Sequence, residues 1–148
     1  MAKFEFSTQI NAPVDRVFEV FTDLRRATER IPAIKKLEVL TEGPIGKGTR
    51  FRETRVMFGK EATETMEFTE FQPGKRCAIG ADSCGSRFET AFSFRPEGNG
   101  TFVEQITTCT PRTLMAKLMM PLGMLLAGPM KKAMRADLDA LKHAAEAR

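Results

Sequence analysis

An α+β fold with a seven-stranded antiparallel sheet, two short helices after the first strand and a long C-terminal helix is predicted by three features of this sequence. Residues 3 to 10, KFEFSTQI, alternate Phe4, Phe6, Thr8 and Ile10 against Lys3, Glu5, Ser7 and Gln9, the period of a half-buried strand. Six further strand-like runs follow from Ile34 onward, separated by connections too short for parallel crossovers. Beyond Pro129, Met130, Met134, Leu138, Leu141 and Ala145 form a helical stripe, with Lys131, Lys132, Arg135, Asp137, Asp139 and Lys142 outside it.

Between the first strand and the meander, NAPVDRVFEVFTDL changes period. Val14, Val17, Phe18 and Phe21 recur at helical spacing, Pro13 suits a first helical turn, and Asp15 sits near the positive helix end. Residues 24 to 31 read as a second short helical segment closed by Pro32. The remaining strands are expected at roughly 34–41, 49–58, 61–71, 75–82, 86–95 and 101–109, a division set by the turn residues between them. RFETAFSFR is the clearest: Phe88, Thr90, Phe92 and Phe94 share one face. Thr110 and Pro111 then read as N-cap and first-turn proline of the C-terminal helical region. Pro121 and Pro129 are expected to bend or break that region.

The 148 residues, 42% hydrophobic and 28% charged, suit one globular domain over residues 1–148 with a core of its own. The amino-terminal stretch MAKFEFSTQ has no long apolar run or small-residue cleavage site and reads as a strand rather than a signal peptide. Cys77, Cys84 and Cys109 are odd in number and lack paired spacing, so a reduced, cytoplasmic protein is expected. The net charge of +4 is spread over Arg25, Arg26, Arg30, Arg50, Arg52, Arg55, Lys131, Lys132 and Arg135, and Trp and Tyr are absent; nucleic acid is therefore not an expected partner. The loop GPIGKG lacks phosphate-loop spacing and leads into a strand, which makes it a turn.

LMMPLGMLLAGPM, residues 118 to 130, is too interrupted for a transmembrane span, which takes about 20 apolar residues. Met115, Met119, Met120, Met124, Met130 and Met134 are flexible thioethers that fill irregular shapes, in an ordinary core or around a ligand.

On the sheet, a period of two puts Glu53 and Arg55 on the face of Phe51 and Met57, and Glu64 on the face of Ala62, Met66 and Phe68. Buried charges of this kind need partners, so Arg55 is expected to pair with Glu53 or Glu64, unless a bulge turns them to solvent. Thr90 and Gln105 supply hydrogen-bonding groups on facing strands. His143, between Lys142 and Ala144, falls off the apolar stripe and reads as a surface residue. No Ser-His-Asp arrangement, metal-ligand cluster or nucleotide fingerprint is present, so neither metal nor cofactor is expected; the candidates for acid-base chemistry are Glu53, Arg55 and Glu64.

INAPVDRVFEVFTD, GPIGKGTRFRET, FTEFQPGKR and ADLDALKHAAE, taken with this order of elements, make nearly the whole chain resemble the SRPBCC superfamily of helix-grip proteins. The polyketide cyclase/dehydrase-like branch, related to START lipid-transfer and birch-pollen-allergen-like domains, is the nearest likeness. The resemblance implies a curved sheet wrapped around the long helix and a mostly apolar cavity between them, holding a lipid, polyketide or other hydrophobic small molecule. Ligand contacts would then come from Phe51, Glu53, Arg55, Glu64, Met66, Phe88, Thr90, Phe92, Gln105, Met119, Leu122, Met130 and Met134, with 118 to 130 lining or gating the cavity. Three functions stay open: a carrier of a hydrophobic small molecule, a cyclase- or dehydratase-like enzyme using Glu and Arg, and a module that docks on a protein or, peripherally, on a membrane surface. Monomer and homodimer are both compatible with the sequence.

Overall fold

The computed structural model describes residues 1–57 and 59–147. Strand β1 (Ala2–Ile10) leads into helix α1 (Val14–Thr22), a 3-10 turn at Leu24–Arg26 and the single-turn α2 (Ala27–Arg30). Then come β2 (Ile34–Val39), β3 (Arg50–Met57), β4 (Lys60–Gln72), β5 (Arg76–Ser83), β6 (Ser86–Glu97) and β7 (Gly100–Pro111). Together with β1 they form one antiparallel sheet in the order β1-β7-β6-β5-β4-β3-β2. Helices α3 (Leu114–Leu125) and α4 (Gly128–Glu146) complete the chain. Phe58, the last residue of the expected third strand, lies outside the described residues.

The sheet meets water on one side and the helices on the other, as the alternation of β1 requires: Ala2, Phe4, Thr8 and Ile10 are buried, while Lys3, Glu5, Ser7 or Gln9 between them are not. Helix α1 drives Phe18 and Phe21 into this inner face. Phe18 stacks edge-on with Phe71 and Phe94, each at 5.2 Å between centroids, and Phe21 does the same with Phe92 and Phe94 at 5.3 Å. Leu138, Leu141 and Ala145 of α4 close the core from above. These aromatic and aliphatic contacts fill the α1 end of the sheet and leave its other end to α3.

Two local features depart from simple alternation. Residues Phe68 and Phe71, three apart on β4, both belong to the core because a β-bulge between Phe68 and Glu70 resets the phase of the strand. Pro13 stands one position earlier than expected, at the N-cap of α1, where its carbonyl accepts from the Val17 amide at 3.0 Å.

The C-terminal region also differs from the sequence expectation. Thr110 and Pro111 do not open a helix: β7 continues through Pro111, which pairs with Ser86. The N-cap of α3 is Thr113, whose hydroxyl accepts from the Ala116 amide at 3.1 Å. Pro121 lies inside α3 without ending it, although it has no amide to donate to the preceding turn. The break comes at Leu126–Ala127, and Pro129 then occupies the first turn of α4.

Candidate functional site

Directly opposed residues of an antiparallel pair share a face. The register therefore carries the inner face across the sheet, from Phe51 opposite Met66 and Glu53 opposite Glu64 to Thr90 opposite Thr107 and Phe92 opposite Gln105. Phe51, Glu53, Arg55, Glu64, Met66, Phe88, Thr90, Phe92 and Gln105 all lie on that face. They do not form one site. Phe51 and Phe92 are buried in the aromatic core, with Met66 against it; Gln105 is buried, and the Thr90 and Thr107 hydroxyls bond each other at 2.9 Å.

Under α4 the inner face carries a charged cluster. Arg55 donates from Nε to Glu53 Oε2 at 3.0 Å and from a guanidinium NH to Asp137 Oδ2 at 2.8 Å. Glu64 takes no part and accepts instead from Ser83 Oγ at 2.7 Å. The sequence reading placed Asp137 outside the apolar stripe. Seven residues after Met130 and four before Leu141, it lies at the stripe's edge instead, within hydrogen-bonding reach of Arg55. Burial works against the Arg55 charge, but Glu53 and then Asp137 outweigh it and hold its pKa above the ordinary range. Burial also raises the Asp137 pKa, and here Arg55 offsets only part, because one guanidinium is shared between two carboxylates.

A carboxyl whose pKa is raised by folding stabilises the protein most below the ordinary carboxylate value, and this contribution fades as the pH climbs through the raised value. Asp137→Asn removes it while leaving Arg55 an acceptor, at a cost of about 1–2 kcal/mol near neutrality. Urea denaturation across a pH series should show the wild type gaining on the variant as the pH falls through that window. A gap that narrows on acidification would reverse the sign assigned to Asp137.

An apolar cavity of about 200 Å³ lies at the other end of the sheet, beneath α3. Ala2, Phe4, Ser86, Phe88 and Cys109 form its floor, Cys84 one rim, and Ala116, Met119, Met120, Gly123 and Met124 its roof, with Ala127 and Met130 closing the far side. Of the residues expected to contact a ligand, Phe88, Met119 and Met130 line it. Leu122 is exposed on the outer side of α3, and Met134 packs with the cluster of Ala2, Phe4 and Ala127. Ala2, Phe4 and Gly123 were not expected at the site, and Met120 and Met124 were expected only as adaptable thioethers, although Ala116, Met120, Gly123 and Ala127 follow the i, i+4, i+7, i+11 spacing of one helix face.

The roof is tied down at both ends. Cys84 and Gly85 form the two-residue turn between β5 and β6, with φ of 52° and 75°. The Gly85 carbonyl accepts from the Arg112 and Thr113 amides at 2.8 and 3.1 Å, and a Cβ there would stand 2.5 Å from the Thr113 hydroxyl that caps α3. At the other end Ala127 is buried against Ala2 and Phe4.

Strand β3 is separated from β6 by β4 and β5, so the charged cluster stands apart from the cavity. A polar row joins them: Glu53 faces Glu64, Glu64 accepts from Ser83, and Ser83 pairs with Ser86 at the cavity floor. Burial pushes the Cys77 thiol up to about 12, which makes it a core hydrophobe at neutral pH. His143 is exposed. Among the described residues no group of three or more His, Cys, Asp or Glu is placed to hold a metal ion, and no helix is long and apolar enough to cross a membrane.

The fold is shared with solved structures of low sequence identity. A Thermus thermophilus protein is 24% identical with a TM-score of 0.78, each chain covered to 97%. The Zhui aromatase/cyclase of a Streptomyces species is 18% identical with a TM-score of 0.74, covering 98% of this chain and 93% of that one. The di-domain aromatase/cyclase StfQ of the steffimycin biosynthetic pathway is 16% identical with a TM-score of 0.81, over 97% of this chain and 50% of that one. No curated protein matches the chain in sequence. The family model described as polyketide cyclase/dehydrase and lipid transport matches residues 1–146, and on that match the chain belongs to this family.

Proposed function

We propose that this protein binds and carries an apolar small molecule, a lipid, polyketide or aromatic compound, in the cavity beneath α3. The observation that carries this reading is the lining itself. Its walls are Phe, Met, Ala and Cys, with Ser86 the one hydroxyl among them, so the site attracts apolar surface and presents no carboxylate, imidazole or guanidinium to a bound molecule. Met119, Met120, Met124 and Met130 adjust the shape of the roof and far side through rotamer changes, which suits a ligand of irregular outline. Membership of a family that spans lipid transport and polyketide cyclisation supports the same class of ligand.

Gly123→Leu tests the site. A Cβ at Gly123 meets nothing within 4 Å, so the longer side chain enters the cavity without disturbing the fold. Nile red, a neutral apolar fluorophore, should bind the variant at least about tenfold more weakly, equivalent to about 1.4 kcal/mol. Thermal stability should rise meanwhile, since replacing a helical glycine by leucine gains up to roughly 1 kcal/mol. Nile red binding that is undiminished in the stabilised variant would remove the cavity as the binding site.

A second reading, proton transfer on a polyketide-like substrate, is favoured by the polar row from Glu53 and Glu64 through Ser83 to Ser86. It requires turnover that Glu64→Gln abolishes while Nile red still binds. Retention of the molecule unchanged selects carriage.

A further inference from the structure

Apart from Lys117, helix α3 is apolar all round, yet only one side of it is covered. Ala116, Met120, Gly123 and Met124 face the cavity, while Leu114, Met115, Leu118, Leu125 and Leu126 on the opposite side are each at least 65% exposed, and Leu122 about half. A helix of this composition is ordinarily enclosed by protein or by lipid, and a contiguous exposed patch of such side chains marks a docking surface. The charges around it name the counterpart. From Gln105 to Ala136 the chain holds five cations, Arg112, Lys117, Lys131, Lys132 and Arg135, and no acidic residue. Arg135 is engaged by Asp139 at 3.3 Å and by the Ser7 carbonyl, and Lys131 lies over the Phe4 ring at 5.7 Å, whereas Arg112 just before α3, Lys117 within it and Lys132 near the start of α4 are exposed side chains.

We infer that the outer face of α3 docks on an anionic lipid bilayer. Twelve residues make a helix about 18 Å long, too short to span but suited to lie in the interfacial plane with its leucines among the acyl chains. A second copy of this chain is the poorer occupant, because a two-fold interface sets the same cations against themselves and the segment supplies no carboxylate to pair with them. A protein partner is poorer too. Apart from Lys117 the outer row offers no polar side chain, whereas protein interfaces carry about one hydrogen bond per 100–200 Å². Docking rests on α3 alone; that it sets the cavity roof against the lipid, ready to exchange an apolar ligand, rests on the carrier reading.

Flotation with phosphatidylcholine vesicles, with and without phosphatidylglycerol, tests it on the full chain. Wild-type protein should bind the anionic vesicles at low salt, weaken steeply as salt is added, and ignore the neutral ones. Lys117→Gln with Lys132→Gln should reduce binding by roughly fivefold per lysine. Leu118→Asp with Leu125→Asp should abolish it. Because these leucines lie outside the cavity lining, that variant should still bind Nile red, which shows that it is folded and separates failed docking from a failed carrier reading. Absence of wild-type binding to anionic vesicles, equal binding to neutral ones, or a leucine-dependent dimer in place of vesicle binding would each overturn the proposal.

Discussion

Replacing Arg55 by methionine should destabilise the protein by about 3–5 kcal/mol, the cost of stripping a buried ion cluster of its one cation. Glu53 and Asp137 both depend on this guanidinium, with side chains only 9% and 24% exposed, and neither has another cation in the ion pair described. Methionine fills the volume but leaves two carboxylates facing each other under α4. For a chain of this length the loss corresponds to a midpoint lower by roughly 10 °C or more. Chemical denaturation should show the full loss near neutrality and recovery on acidification, as the stranded carboxylates take up protons. A change below about 1 kcal/mol would mean that water, rather than Arg55, already satisfies them.

Phe68→Ala is expected to be comparably severe, about 3–5 kcal/mol. The ring is fully buried, 5.7 Å from Phe51 and 5.3 Å from Phe71 between centroids, and the adjoining bulge fixes the backbone so that collapse around the missing ring is limited. Urea unfolding measures the loss. Because Phe68 lies outside the cavity lining, Nile red affinity in the folded fraction should hold, and a parallel loss of both would show that core and cavity form one unit.

The sheet was readable because its inner strands obey a period of two that no helix tolerates. Phe51 and Met57 on β3, and Ala62, Met66 and Phe68 on β4, fixed the face of their own strands, and this put Glu53, Arg55 and Glu64 on the inner face. What escaped the reading were departures that alternation cannot announce. The bulge on β4 appears in the sequence only as Phe68 and Phe71 at helical spacing within a strand. Asp137 looked solvated because its type suggests water, while its place depends on an Arg contributed 82 positions earlier. Thr110 and Thr113 are equally good caps by residue type; pairing of Pro111 with Ser86 extends the strand past the first and leaves the second to start the helix. The cavity was expected, with Phe88, Met119 and Met130 in its lining, but most of its floor escaped for the same reason. That floor is the start of β1, the start of β6 and the end of β7, three segments that only the β1-β7-β6 order of the sheet brings together.

The methionine-rich lining described above also bears on selectivity. With few fixed donors or acceptors to match, an apolar site of this kind distinguishes molecules by fit alone, and one methylene more or less in an apolar pocket is worth about 1–3 kcal/mol. Thioether walls soften even that, since they yield to the intruding group instead of excluding it. Related compounds of similar bulk would therefore compete on nearly equal terms, and which one occupies the protein would follow from which is most abundant around it.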